Sequence, residues 1–370
     1  MSFSHPNKKR LPLACKVIYF LTLASALLYF AFTLSAPFAD LFNQTVAAAL
    51  RAFLGIITSP LPISLAELLL LSLPVLLVLL CIRGYRRYTD SWRDALTYLG
   101  IVASGLCVVL ILFVWCFAAG YYAPTLDEKL DLERTPCTAE ELYDTAEALR
   151  EELVRLEADV DFGENGASVM PYDLSEMNSH LMTSYDALSE KTALLSTFPT
   201  RVKPVLLSEA MSYTHITGVY TFFTGEANVN VHFPDYTIPY TAAHELAHQR
   251  GIAREDEANL VAYLVCRESD DPYIRYSGTL GLYEYLLSAL AKADRELYRE
   301  SYLALPESIK GEERAYAEFF EPYRDSTASK ISSATNDAYL KGQGESAGTK
   351  SYGMVVDLAV AMHKRESANP

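Results

Sequence analysis

What this sequence lacks narrows it first. It has no surplus of basic residues: 31 Lys and Arg against 46 Asp and Glu leave a net charge of -15. A nucleic-acid partner needs a concentrated basic footprint, so none is expected. Cysteine is sparse, six in all, and no two have the C-x-x-C spacing of a metal site. Cys15, Cys81, Cys107 and Cys116 lie in or beside apolar segments, where a thiol packs as a small hydrophobe. Only Cys137 and Cys266 fall elsewhere, and they could form one disulfide outside the cell. A phosphate loop is missing too. The stretch 342–351 reads Gly-Thr-Lys-Ser where Gly-Lys-Ser/Thr is required, and no strand precedes it.

Long apolar runs, by contrast, are present, all in the first third. Residues 15–36, 61–82 and 95–119 each approach the twenty or so needed to cross a bilayer as a helix, which predicts three membrane spans. The first is too long for the core of a signal peptide, although Lys8, Lys9 and Arg10 precede it. Those three residues and Arg83, Arg86, Arg87 and Arg93 between the second and third runs place both segments in the cytoplasm; Arg51 stands alone between the first two. Everything after about Tyr121 would then be extracytoplasmic. The apolar segment 41–57 is expected to lie along the outer membrane surface. Glu67, the one acid within a run, lies near its outer end, where it can reach the interface. Two domains follow: residues 1–123, with nine basic and four acidic side chains, and residues 124–370, which carry a net charge of -20.

The acidic half is organised around His244-Glu245-Leu246-Ala247-His248. Histidine is scarce here, seven in the chain, so two of them four apart are informative. On a helix both imidazoles share a face and can hold one Zn²⁺, while Glu245 leans to the side where a general base is needed. Pro239 and Thr241 mark the start of that helix, and Gly251 its left-handed end. Tetrahedral zinc needs a third protein ligand. A second helix is expected from Glu255 to about Cys266. On it Glu257 shares a face with Leu260, Val261 and Leu264, where a carboxylate is expensive without a cation. Glu257 is therefore the expected third ligand, with Glu255 and Asp256 solvated or capping.

Around this centre the pattern is mostly helical. Helices fit Thr138 to about Leu156, opened by the capping box Thr138-Ala139-Glu140-Glu141, then 174–195, 272–293, 312–323, 327–340 and 352–363. Residues 205–207, 216–223 and 227–233 read as a small sheet whose last strand, at Asn228-Val229-Asn230, would be an edge able to pair with an extended substrate. His215 and His232 lie in these strands and are not expected to be ligands. Hydrolysis also needs a donor to the developing oxyanion, for which Tyr276 or Arg275 are candidates, although the tyrosines 273, 276, 283 and 285 fit a core stripe as well.

The runs Thr224-Gly-Glu-Ala-Asn-Val-Asn, His-Glu-Leu-Ala-His-Gln-Arg-Gly, Glu257-Ala-Asn, Tyr276-Ser-Gly, Asn336-Asp-Ala-Tyr-Leu-Lys and Ser351-Tyr-Gly resemble a bacterial family of unknown function over nearly the whole chain. The resemblance implies three membrane spans followed by a zinc-peptidase-like, gluzincin-like domain, and it supplies no substrate. Glu257-Ala-Asn is also similar to the Glu-Ala-Asp third-ligand segment of membrane zinc peptidases, with Asn259 in place of the Asp.

The expectation is an α+β protein: three transmembrane helices, then a mainly helical zincin-like domain with a small sheet. It would bind one Zn²⁺ through His244, His248 and Glu257 and hydrolyse peptide bonds with Glu245 as base. Its partners would be membrane lipid and a peptide or protein substrate. The rival readings are a zinc-bearing binding or sensor module and a zinc amidase of the cell envelope.

Overall fold

The structure, a computed structural model, describes residues 9–192 and 194–368. Lys8, part of the expected cytoplasmic tail, lies outside the described residues. The apolar third forms α1 (Leu13–Leu34), α2 (Ala36–Phe42), a π-helical turn (Asn43–Ala47), α3 (Ala48–Thr58), α4 (Leu65–Arg87) and α5 (Trp92–Cys116). Helices α1, α4 and α5 are the three expected spans. A fourth stretch, Ala36–Thr58, is also long and apolar enough to cross a membrane, so the expected three become four by length and composition.

That fourth stretch behaves differently. It is 39% buried where α4 is 6% buried. It starts where α1 ends, with Phe42 against Phe32 at 5.0 Å. It finishes where α4 begins, and there Glu226 of the acidic half accepts from the first amides of α4, Leu65 and Ala66, each at 2.9 Å. Both ends therefore lie at one end of the bundle. At the opposite end Lys9 pairs with Asp90, in the turn between α4 and α5, at 3.1 Å. Hydropathy could not separate a helix packed against protein from one facing lipid, because both are apolar.

The acidic half adds α6 (Leu126–Leu130), α7 (Ala139–Leu156), α8 (Leu174–Thr192), β1 (Lys203–Pro204), α9 (Ser208–Ser212), β2 (Gly218–Thr221), β3 (Glu226–Val229), α10 (Thr237–Gln249), α11 (Glu255–Arg267), α12 (Pro272–Ala293), α13 (Arg295–Leu303), α14 (Glu307–Phe320), α15 (Thr327–Gly342) and α16 (Val355–Ala368). The result is mostly helical with one small sheet. The capping box on α7 is formed as expected, Thr138 and Glu141 each accepting the other's amide. Leu153, Leu181, Leu246, Leu260 and Leu286 meet in the core between α7, α8, α10, α11 and α12.

The sheet has the order β1-β3-β2. β3 is therefore central, pairing parallel with β1 and antiparallel with β2. This corrects the expected edge at Asn228–Asn230: β3 is buried throughout, the edges are β1 and β2, and it is β2 that borders the cleft. The strands are also shorter than the β-branched runs suggested, and His215 and His232 fall in turns. Both bond Tyr323, His215 Nε2 to its carbonyl at 2.8 Å and His232 Nε2 to its hydroxyl at 2.9 Å.

Three polar links fasten this half to the apolar helices. Lys203 Nζ donates to Glu226 at 2.6 Å and to the Thr58 carbonyl at 2.7 Å, so the carboxylate that caps α4 is itself held by a buried ion pair. Glu67, near the outer end of its run, accepts from the Leu206 and Leu207 amides at 2.8 and 2.9 Å. Arg51, 1% exposed, donates to the Arg250 carbonyl at 3.3 Å, and within the apolar third to the Cys116 carbonyl and Asn43 Oδ1, each at 2.9 Å. Cys137 and Cys266 are both free thiols, and Cys266 is buried against Gly278, so the expected disulfide is not formed.

Candidate metal centre

The centre is built on α10. That helix begins at Thr237, earlier than Pro239 and Thr241 suggested. Pro239 sits within its first turn, where a missing N–H costs nothing because the first amides have no intrahelical partner. The far end is fixed by backbone alone: Ile252 N donates to Ala247 O at 3.1 Å and Gly251 N to His248 O at 3.0 Å, with Gly251 at φ +97°. This is a Schellman ending, and it needs glycine at the left-handed position. The turn also carries Ile252 O to within 2.7 Å of His248 Nδ1. With Nδ1 donating there, Nε2 is the lone-pair nitrogen turned towards the cleft.

Helix α11 returns across α10 and brings Glu255 between the two imidazoles. Glu255 Oε2 lies 3.2 Å from His244 Nε2 and 3.3 Å from His248 Nε2. All three side chains are buried, and their ligand atoms lie within 4.8 Å of one another. The buried Oε2 atom has only the two imidazole nitrogens as polar neighbours among the described contacts. A carboxylate oxygen and two ring nitrogens converging on one point is a set that a divalent cation satisfies, and two His with one carboxylate is a known catalytic zinc donor set. The residues present thus fit a metal, and Glu255 stands where a third ligand could be.

Glu257 stands elsewhere. Its Oε1 accepts from Leu126 N at 2.9 Å and pairs with Arg254 at 3.0 Å. The expected ligand role therefore passes from Glu257 to Glu255. The reason is burial: every residue of α11 from Glu255 to Cys266 is buried, so an apolar stripe does not mark the side that faces the metal. The useful signal was Asn259, which lies one turn beyond Glu255 and lines the same cleft. Asp256, expected to be solvated, is buried and pairs with Arg134 at 2.7 Å.

Glu245 takes the place the motif implies. β2 runs alongside it, and a Cβ on Gly218 would lie 2.7 Å from Glu245 Cγ and Oε1. Only a glycine lets the strand approach so closely. Burial raises the Glu245 carboxyl above its usual range, against the pull of His244 and His248 and of the Tyr220 amide that donates to it. Burial disfavours charge on His248, but the Glu255 and Glu245 carboxylates outweigh it and raise the imidazole to about 9.

The cluster opens into a cleft of about 1110 Å³. β2 and the turn before it form one wall, Ser329, Ser332 and Asn336 of α15 the facing one. Phe117 and Tyr121, just past α5, border the metal cluster, the Phe117 ring 6.0 Å from that of His248. Tyr276 does not reach the cleft: it is fully buried, donates to Glu312 at 3.2 Å and packs edge-on against Phe162. Arg275 does not line it either. The tyrosines that do include Tyr240, Tyr285 and Tyr339.

Fold and site together define a class: an α+β protein in which a bundle of apolar helices carries a domain with a His-His-Glu cluster in an open cleft. The chain belongs to the family described as protein of unknown function (DUF3810), whose model matches residues 42–360. No curated protein and no solved structure matches it.

Proposed function

We propose that this protein is a membrane-anchored zinc metallopeptidase whose catalytic domain lies outside the cytoplasm. The observation that carries the reading is the convergence of His244, His248 and Glu255 on one point, with Glu245 beside it at the bottom of an open cleft. His244, His248 and Glu255 would hold Zn²⁺, one per chain. When bound, the ion supplies Lewis acidity to a water and to the scissile carbonyl. Glu245 takes a proton from the attacking water and passes it to the leaving amine as the C–N bond breaks. Its raised carboxyl suits both halves of that transfer.

The open edge of β2 supports a polypeptide substrate. β3 uses the inward-facing backbone groups of Val219 and Thr221, so those of Gly218 and Tyr220 face the cleft. The Tyr220 amide is engaged by Glu245, and an extended chain would pair with the groups that remain. Membrane placement rests on the apolar α1, α4 and α5 and on the basic residues Lys9, Arg87 and Arg93 at the end away from the cleft. The stretch 36–58 then lies between bundle and domain rather than crossing.

The test is hydrolysis of a quenched-fluorescent peptide library by detergent-purified, zinc-loaded protein. Wild type cleaves, and Glu245→Gln loses about 10²–10⁴-fold in rate while keeping about one zinc per chain by mass spectrometry. Metal content without cleavage would overturn the reading in favour of a binding module, and cleavage unchanged in Glu245→Gln would overturn the role of Glu245 as the base.

A further inference from the structure

A second cavity of about 330 Å³ lies between α12, α13 and α14, beside the start of the zinc helix. It is not isolated. Tyr236, Glu284, Ser288 and Tyr316 line both it and the metal cleft, so it is a side chamber of that cleft. Its size is at the low end for a small-molecule pocket, enough for one side chain of a larger ligand.

Its chemistry is unusual for a protein interior. The walls are tyrosine: Tyr298 and Tyr302 stack at 5.9 Å and 17°, and Tyr236, Tyr283 and Tyr316 complete the box. Two carboxylates, Glu284 and Glu313, line it, and neither has an ion pair among the described residues. Glu284 accepts one hydrogen bond, from the Tyr236 hydroxyl at 3.1 Å. The Tyr302 hydroxyl bonds Glu313. The one cation among the lining residues, Lys310, is largely buried and already engaged by Glu307 at 3.1 Å and by the Leu303 carbonyl at 3.2 Å. Its ammonium lies 5.9 Å from the Tyr302 ring centre, so the wall already faces one positive charge.

Aromatic faces with a carboxylate that lacks an ion pair, here Glu284 where chamber and cleft meet, attract an organic cation, and they do so more strongly when water is excluded. A bare metal ion would find too few oxygens here, and an apolar side chain would leave Glu284 without compensation. We propose that this chamber is a specificity subsite that takes a lysine or arginine side chain of the substrate, with Glu284 as the residue that selects it. The inference rests on the peptidase reading above for its substrate class, and its binding arm stands apart from catalysis. Burial holds the Glu284 carboxyl at about 7, consistent with a group waiting for a counter-charge.

The experiment uses full-length, zinc-loaded protein in detergent. In the first arm, N-acetylated lysinamide, argininamide and norleucinamide are titrated calorimetrically against Glu245→Gln and against Glu245→Gln with Glu284→Gln. Acetylation removes the α-amine as a competing cation. The two basic amides bind, norleucinamide does not, and Glu284→Gln weakens the basic amides about tenfold or more. Equal binding of norleucinamide, or no change in Glu284→Gln, overturns the proposal. In the second arm, N-acetylated peptides differing only in Arg or norleucine near the cleaved bond are compared. The ratio of their kcat/KM values favours Arg and falls about tenfold in Glu284→Gln. Cleavage with no basic preference refutes the chamber and leaves the peptidase; binding of basic amides with no cleavage refutes the peptidase and leaves the chamber. Zinc content of each variant reports whether the fold is kept.

Discussion

Arg51 donates to the carbonyl of Arg250 at 3.3 Å, reaching from the apolar arm into the turn that ends α10. Beside it, Asn43 donates to the Gly251 carbonyl at 3.0 Å. The guanidinium thus joins three elements, since it also bonds the Cys116 carbonyl and Asn43. A cation at the end of α10 also complements the helix dipole there. The second imidazole of the metal centre takes its orientation from the same turn, through Ile252 O.

Arg51→Ala should therefore loosen the metal site at a distance. It leaves buried carbonyls and Asn43 Oδ1 without donors, for a loss of about 2–4 kcal/mol. Thermal unfolding in detergent measures the stability, and zinc retention during dialysis against a weak chelator measures the site. Zinc held as firmly as in wild type would show that the arm does not support the turn.

The two glutamates of α11 give the sharpest contrast. Glu255→Ala should remove the third donor and lower zinc content well below one per chain. Glu257→Ala should keep zinc and lose stability instead, because it leaves the Leu126 amide without its acceptor and takes one carboxylate from Arg254. Metal analysis of both variants decides it; zinc lost only from Glu257→Ala would restore the assignment made from sequence.

Gly218→Ala should disable the base without touching a ligand. The added methyl would press on Glu245 and on Thr241 Cγ2, 2.8 Å away, and push the strand or the carboxylate aside. Peptide hydrolysis should fall on the order of ten- to a hundredfold with zinc retained, since small displacements of catalytic groups carry large rate penalties. Full activity would mean that β2 yields freely.

Glu284 makes stability depend on pH. Burial raises its folded carboxyl from 4.5 to about 7, so the folded state binds a proton that the unfolded state has released. Its contribution is fully present below about pH 4.5 and is lost as pH rises through about 7. Glu284→Gln removes that dependence. Melting temperatures of wild type and variant across this window should diverge in favour of the variant as pH rises. Parallel curves would show that Glu284 is ionised as readily folded as unfolded.

The sequence by itself determined a good deal. The apolar runs of α1, α4 and α5 are legible because hydrocarbon demands length and composition that local order alone satisfies. The pairing of His244 with His248 and the place of Glu245 follow from the pitch of one helix, as does the need for Gly251 at its end. The capping box of α7 is equally local. What lay beyond reading was how segments far apart in the chain meet. Glu255 rather than Glu257 faces the histidines because of the angle at which α11 returns over α10. Glu226, in one of the runs that carry the family resemblance, caps α4 and pairs with Lys203. Tyr276 is core, while Tyr339, from a helix near the C-terminus, reaches the cleft. β2 rather than β3 is the open edge because β1, two residues long, covers the other side. Local order fixes which way a side chain leaves its own backbone; only packing decides what stands opposite, because burial takes in polar and apolar residues alike once their partners are supplied.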